Sequence, residues 1–141
     1  QTLHDKASGY GVVRMNKAKG TITMECYRLL IDAANLQPGD QFPGWPKTIS
    51  HQENYGRSAV AYLPEIKVKG LKNPVIQVKD ANSGDLVYAL RIRGSSFRPK
   101  VFDAKAKYNL RIGEPDENLW KTFEDVAPVK LGDKSSLNVS F

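Results

Sequence analysis

An all-β fold, an immunoglobulin-like antiparallel β-sandwich, is predicted by two features of this sequence. Apolar and polar residues alternate with period two in several short runs: Leu86, Tyr88, Leu90 and Ile92 against Val87, Ala89, Arg91 and Arg93, then Ala106, Tyr108, Leu110 and Ile112 against Lys107, Asn109 and Arg111. Side chains of a strand point to opposite faces, so each run has one apolar face that needs a partner layer. Turn signals recur roughly every 8–12 residues, the spacing of a sandwich. A small β-barrel is the alternative.

The elements follow in order. Residues 1–9 form a polar lead-in. Tyr10 to Met15 and Thr21 to Cys26 read as a hairpin joined by Asn16-Lys17-Ala18-Lys19-Gly20, with Ile22, Met24 and Cys26 on one face and Thr21, Thr23 and Glu25 on the other. The stretch from Arg28 to Asn35 fits a strand extension or a helical turn equally. Gln37-Pro38-Gly39-Asp40 is a turn. Gln41-Phe42-Pro43-Gly44-Trp45-Pro46 is a loop, because its prolines cannot donate to a ladder. Short strands are expected at Lys47 to Ser50, Ala59 to Leu63 and around Ile66 and Val68. The stretch from Asn73 to Ile112 reads as a three-stranded meander turning at Asn82-Ser83-Gly84-Asp85. From Trp120, a strand is expected with Trp120, Thr122, Glu124 and Val126 on one face and Lys121, Phe123 and Asp125 on the other. Leu137, Val139 and Phe141 alternate, as in an edge strand; a frayed tail is the other reading. The domain expectation is a lead-in and hairpin over 1–27, a sandwich over 28–127 and an edge strand or tail over 128–141.

Length and composition fit one soluble globular domain: 141 residues, 40% hydrophobic and 26% charged. Lys and Arg number 21 against 15 Asp and Glu, a net +6 that favours anionic partners. The single cysteine, Cys26, excludes an internal disulfide and reads as a buried, inert thiol. No apolar run approaches the roughly 20 residues of a membrane-spanning helix. The chain starts with Gln, which suggests a piece of a longer protein or a processed form.

Catalytic signals are missing from the pattern. No nucleophile elbow or phosphate loop is present, and the two histidines, His4 and His51, stand apart in turn-like segments with too few neighbours for a metal site. No catalytic residue, metal or cofactor is therefore assigned. Two binding candidates remain. Arg91, Arg93, Lys107 and Arg111 fall on the wetter strand faces and would form a patch for phosphate or acidic glycan if their strands adjoin; a solvated sheet face is the plainer reading. Nucleic acid is disfavoured, since Tyr88 and Tyr108 lie on the apolar face and cannot stack beside those cations. Phe42, Trp45 and Tyr55 sit on loops that would converge at one end of a sandwich, to close the core, dock another domain or stack on sugar rings.

Five segments carry a resemblance: Gly9-Tyr10-Gly11-Val12-Val13-Arg14, Thr21-Ile22-Thr23-Met24-Glu25-Cys26, Gln41-Phe42-Pro43-Gly44-Trp45-Pro46, Asn54-Tyr55-Gly56-Arg57 and Phe97-Arg98-Pro99-Lys100-Val101-Phe102. Together they resemble the C-terminal portion of bacterial proteins related to PhoD-like alkaline phosphatases, a metallophosphoesterase family. The resemblance spans roughly Gly9 to Gly113. It implies a catalytic metal site in an upstream domain, a hairpin at the edge of that domain, and an exported parent, periplasmic or secreted. No catalytic residue of that family maps onto this chain. The expected function is a non-catalytic accessory domain docking on the catalytic domain or an anionic surface. The alternative is a free-standing module for carbohydrate or another ligand.

Overall fold

The computed structural model describes residues 8–141. The chain divides into two compact units, one ending at Asn54 and the other running Tyr55–Phe141. In the first, β1 (Gly9–Asn16), β2 (Thr21–Arg28) and β3 (Lys47–Ser50) form an antiparallel sheet in that order. The β1–β2 register runs unbroken from Gly9 opposite Arg28 to Asn16 opposite Thr21. Gly20, at φ 63°, closes the turn, and the Lys19 N–H donates to Asn16 Oδ1 at 2.9 Å. Residues 29–35 turn away without a helix, and Leu30 sits in the left-handed region at φ 63°. Because β3 pairs with β2, residues 28–54 cluster with the hairpin. The boundary between the units thus falls after Asn54 rather than after Tyr27.

The second unit contains β4 (Ala61–Tyr62), β5 (Glu65–Lys69), β6 (Val75–Asp80), β7 (Leu86–Arg91), β8 (Ser96–Phe97), β9 (Lys100–Val101), β10 (Tyr108–Glu114), β11 (Leu119–Val126) and β12 (Ser136–Ser140). One sheet has the order β11-β10-β6-β7 and is wholly antiparallel; a second has the order β12-β5-β8, and β4 pairs with β9. Ile66 and Val68 of β5, Val139 of β12, Ile76 and Val78 of β6, and Tyr108, Leu110 and Ile112 of β10 share one buried cluster. This is a β-sandwich. Its four-stranded sheet ends in β11 and β7 and does not close into a barrel. The last strand, β12, is an edge strand as its alternation suggests, but it runs parallel to β5.

Two expectations are corrected by strand pairing. The three strands between Asn73 and Ile112 are not a meander, because β10 pairs with β6 rather than with β7. The chain leaves the sheet after β7, pairs briefly with β5 and β4 through β8 and β9, and returns on the far side of β6. Strict alternation also fails twice. Val78 faces Tyr88 while Lys79 faces Leu86, so Val87 is an extra residue; it packs on the core and Leu86 is exposed. In β11, Phe123 faces Leu110 and Val126 faces Tyr108, with Asp125 in the left-handed region at φ 53°. Phe123 and Val126 therefore both reach the core, although alternation placed them on opposite faces.

The turn after β6 is held by Asp80, whose Oδ1 accepts the N–H groups of Asn82 and Ser83 at 2.8 and 2.9 Å. Those bonds favour the charged form and hold its carboxyl below the usual value. Ile112, on a central strand, is wholly buried. Replacing it with Ala is expected to cost about 2–5 kcal/mol of unfolding free energy, read from the urea midpoint at unchanged slope.

Candidate functional site

The first unit's sheet has two unlike faces. On one, Arg14 Nε meets Glu25 Oε2 at 2.9 Å, the Thr23 and Thr48 hydroxyls bond at 2.8 Å, and Tyr10 stacks on Tyr27 at 5.5 Å between ring centroids. The other carries Gly11, Val13 and Met15 of β1, Ile22, Met24 and Cys26 of β2, and Ile49 of β3. On this apolar face Val13 is 58%, Met15 79% and Ile22 43% exposed. Cys26 is half-buried there rather than buried.

The loop from Asp40 to Pro46 covers only one end of that face. Arg28 N–H donates to the Asp40 carbonyl at 2.8 Å and Phe42 N–H to that of Cys26 at 2.9 Å. These bonds seat the Phe42 ring against Gly9, where an added Cβ would lie 2.7 Å from the ring, and the Arg28 guanidinium lies 4.8 Å from the ring centroid. Phe42 is buried and closes this end of the unit. Trp45 is half-buried and, with Met24, Lys47 and Ile49, lines a groove of about 640 Å³. A second groove of about 480 Å³ is lined by Met15, Ile22, Ile49 and His51. Such a face is built for apolar contact: each large apolar side chain covered by a partner gains about 1.5–3 kcal/mol.

Tyr55 belongs to the second unit. Its ring packs edge-on against Tyr88 at 4.9 Å and lies 5.7 Å from Phe102. Arg57 lies 3.9 Å over Phe102, and Lys100 lies 5.5 Å from the Tyr55 ring. The Tyr88 hydroxyl donates to the Lys100 carbonyl at 2.9 Å, and burial pushes its phenol far above the ordinary 10. The three aromatics expected to converge thus have separate duties. Phe42 closes a core, Tyr55 packs in an aromatic nest, and Trp45 lines an open groove.

The four cations expected to form a patch are also dispersed. Arg91 forks onto Glu114 at 2.5 and 2.9 Å and reaches the Asn73 carbonyl at 3.0 Å. Arg111, on the outer face of β10 opposite Gln77, stacks 4.1 Å over Trp120. Arg93 follows the β7 residue opposite Val75, at one end of β6; Lys107 precedes Tyr108, which faces Asp80 at the other end. Six residues of strand separate these ends by about 17 Å. The stacking of Arg111 on Trp120 was not visible beforehand, since it depends on the register that sets Gly113 opposite Trp120. The basic excess itself lies in the sandwich: residues 1–54 hold six cations and five anions, leaving 15 and ten for residues 55–141.

His51 Nδ1 lies 3.0 Å from the Gly20 carbonyl oxygen, and His4 lies outside the described residues. Among the described residues, no group of three or more His, Cys, Asp or Glu comes together, and no helix is long and apolar enough to cross a membrane. Comparison with protein families, curated proteins and solved structures finds no match to this chain.

Two outcomes are expected from these contacts. Phe42→Ala should destabilise the first unit by about 3–5 kcal/mol, whereas Trp45→Ala should cost on the order of 1 kcal/mol; thermal melting of the two variants compares them. The hydrogen bonds from Arg91 hold the Glu114 carboxyl below its ordinary 4.5. A depressed carboxylate stabilises the fold above its unfolded value, and that contribution fades as pH falls through the folded value. Glu114→Gln should therefore be less stable than the parent at pH 7, with the difference vanishing once the pH is well below 4.5. Denaturant titrations across this range provide the readout.

Proposed function

We propose that this chain is a non-catalytic accessory module that docks on a protein partner through the uncovered apolar face of β1, β2 and β3. The observation that carries the reading is that face: Val13, Met15 and Ile22 project from the unbroken β1–β2 ladder and are exposed. Contiguous apolar surface of this kind marks interaction sites. The resemblance of the segments quoted above to the C-terminal portion of PhoD-like proteins supplies the partner, the upstream metallophosphoesterase domain of the same polypeptide. It also supplies an extracytoplasmic setting, periplasmic or secreted. The cationic excess of the sandwich gives the module a second, weaker attraction to anionic surfaces.

A second reading, a carbohydrate- or ligand-binding module, is favoured by one observation, the half-exposed Trp45 beside Lys47 and Thr48 in the larger groove. The two separate in one experiment. The chain is titrated calorimetrically with a purified PhoD-like phosphoesterase domain, and separately with soluble polysaccharides. Docking predicts association that changes little with salt and weakens about 10- to 100-fold in Met15→Lys/Ile22→Lys, at unchanged melting temperature. Absence of association with the domain, or association indifferent to the double substitution, would sink the docking reading. Polysaccharide binding abolished by Trp45→Ala would replace it.

A further inference from the structure

We propose that two copies of this chain pair edge to edge through β1, forming a six-stranded sheet whose apolar face runs unbroken across a two-fold axis. β1 is an outer strand of the order β1-β2-β3, and its far edge has no ladder partner among the described residues. It is eight residues long with no bulge and no proline. Its one charge, Arg14, is engaged by Glu25. The usual protections of an edge strand, such as a proline, a bulge or an inward-pointing charge, are all missing.

The hydrogen-bond alternation fixes which groups are open. Leu29 N–H donates to the Ser8 carbonyl, while Arg28 N–H and Phe42 N–H bond across the opposite edge of β2. Successive residues of an antiparallel strand bond to alternate sides. The even-numbered residues of β1 therefore bond to β2, and the main-chain groups of Gly9, Gly11, Val13 and Met15 face outward. The side chains of these same residues lie on the apolar face. An antiparallel second copy, set with Val13 opposite Val13, satisfies the open groups of Gly11, Val13 and Met15 and keeps both apolar faces on one side.

The same register places Met15 of one copy opposite Gly11 of the other. A Cβ added at Gly11 would have as its nearest neighbour the Glu25 carbonyl at 3.7 Å, so the methionine side chain has room there. Arg14 falls opposite Val12, so no like charges meet across the seam. Residues 1–54 hold six cations and five anions, so little net charge lies beside the seam, although each whole chain carries +6. A two-fold contact of this kind is closed and ends at the dimer.

Sedimentation equilibrium of the whole chain tests the proposal. A species of twice 15.7 kDa is expected to accumulate as concentration rises towards the millimolar range. Val13→Pro removes an outward-facing N–H and no bond to β2, so it should give a monomer whose melting temperature is little changed. In a Cys26→Ser background, Val13→Cys should cross-link to itself under mild oxidation. Paired Cα atoms there would stand about 5.5 Å apart, within disulfide reach. A monomer at every concentration, a dimer that survives Val13→Pro, or failure of the Val13→Cys pair to cross-link would each overturn the proposal. If Val13→Pro does not fold, the cross-link decides. Docking on a phosphoesterase domain is scored on a separate titration, so either idea can fail alone.

Discussion

The antiparallel register of β6 on β10 sets the other relations of the sandwich. Ile76 faces Ile112 and Val78 faces Leu110, and all four are fully buried. Two central strands thus present a dry strip onto which Ile66, Val68 and Val139 of the facing sheet pack. Burying side chains of this size is the dominant favourable term in folding, so edges and turns adjust to the strip rather than the reverse. The bulges in β7 and β11 are such adjustments. Each changes which residues face inward, bringing Val87 and Val126 to the core.

The first unit solves its problem only halfway. A three-stranded sheet pairs its central strand on both sides, but it has two faces, and stability comes from covering one of them. Here the polar face is knitted by Arg14–Glu25, the threonine pair and the tyrosine stack, while Phe42 covers a single end of the apolar face. Val13, Met15 and Ile22 remain exposed, with Met24, Cys26 and Ile49 only partly covered. That imbalance is the reason for reading the unit as one half of an interface. Face and edge are different resources: the face offers side chains to a partner layer, and the edge offers main-chain groups to another strand.

Electrostatics shape the sandwich without defining a pocket. The Arg91–Glu114 fork fastens β7 to the end of β10 across β6, and Glu114 also accepts the Asp116 N–H to cap the short turn at Pro115–Glu117. Arg111 is held by its stack on Trp120. Cations committed to such contacts are less available to an anionic ligand than their count suggests. Arg93 and Lys107, at opposite ends of β6, dilute the effect further. What persists is a diffuse positive field suited to steering.

The all-β class, the turns and most strand positions were legible in the sequence, because period-two alternation and Gly, Pro and Asn punctuation are local properties. Tyr108, Leu110 and Ile112 on one face and Asp80 to Asp85 as a turn are examples. The apolar side of the hairpin, Ile22, Met24 and Cys26, was visible for the same reason. Its exposure was not, since alternation shows that a face wants cover and never whether cover arrives. Likewise the fates of Phe42, Trp45 and Tyr55 separated only in space: one was sealed by Gly9, one left in a groove and one drawn into a nest of rings. The sequence by itself determined the secondary structure and the amphipathic faces. Tertiary structure alone decided that β10 returns beside β6, where the bulges fall, and which apolar face stays open, because those depend on contacts between residues far apart in the chain.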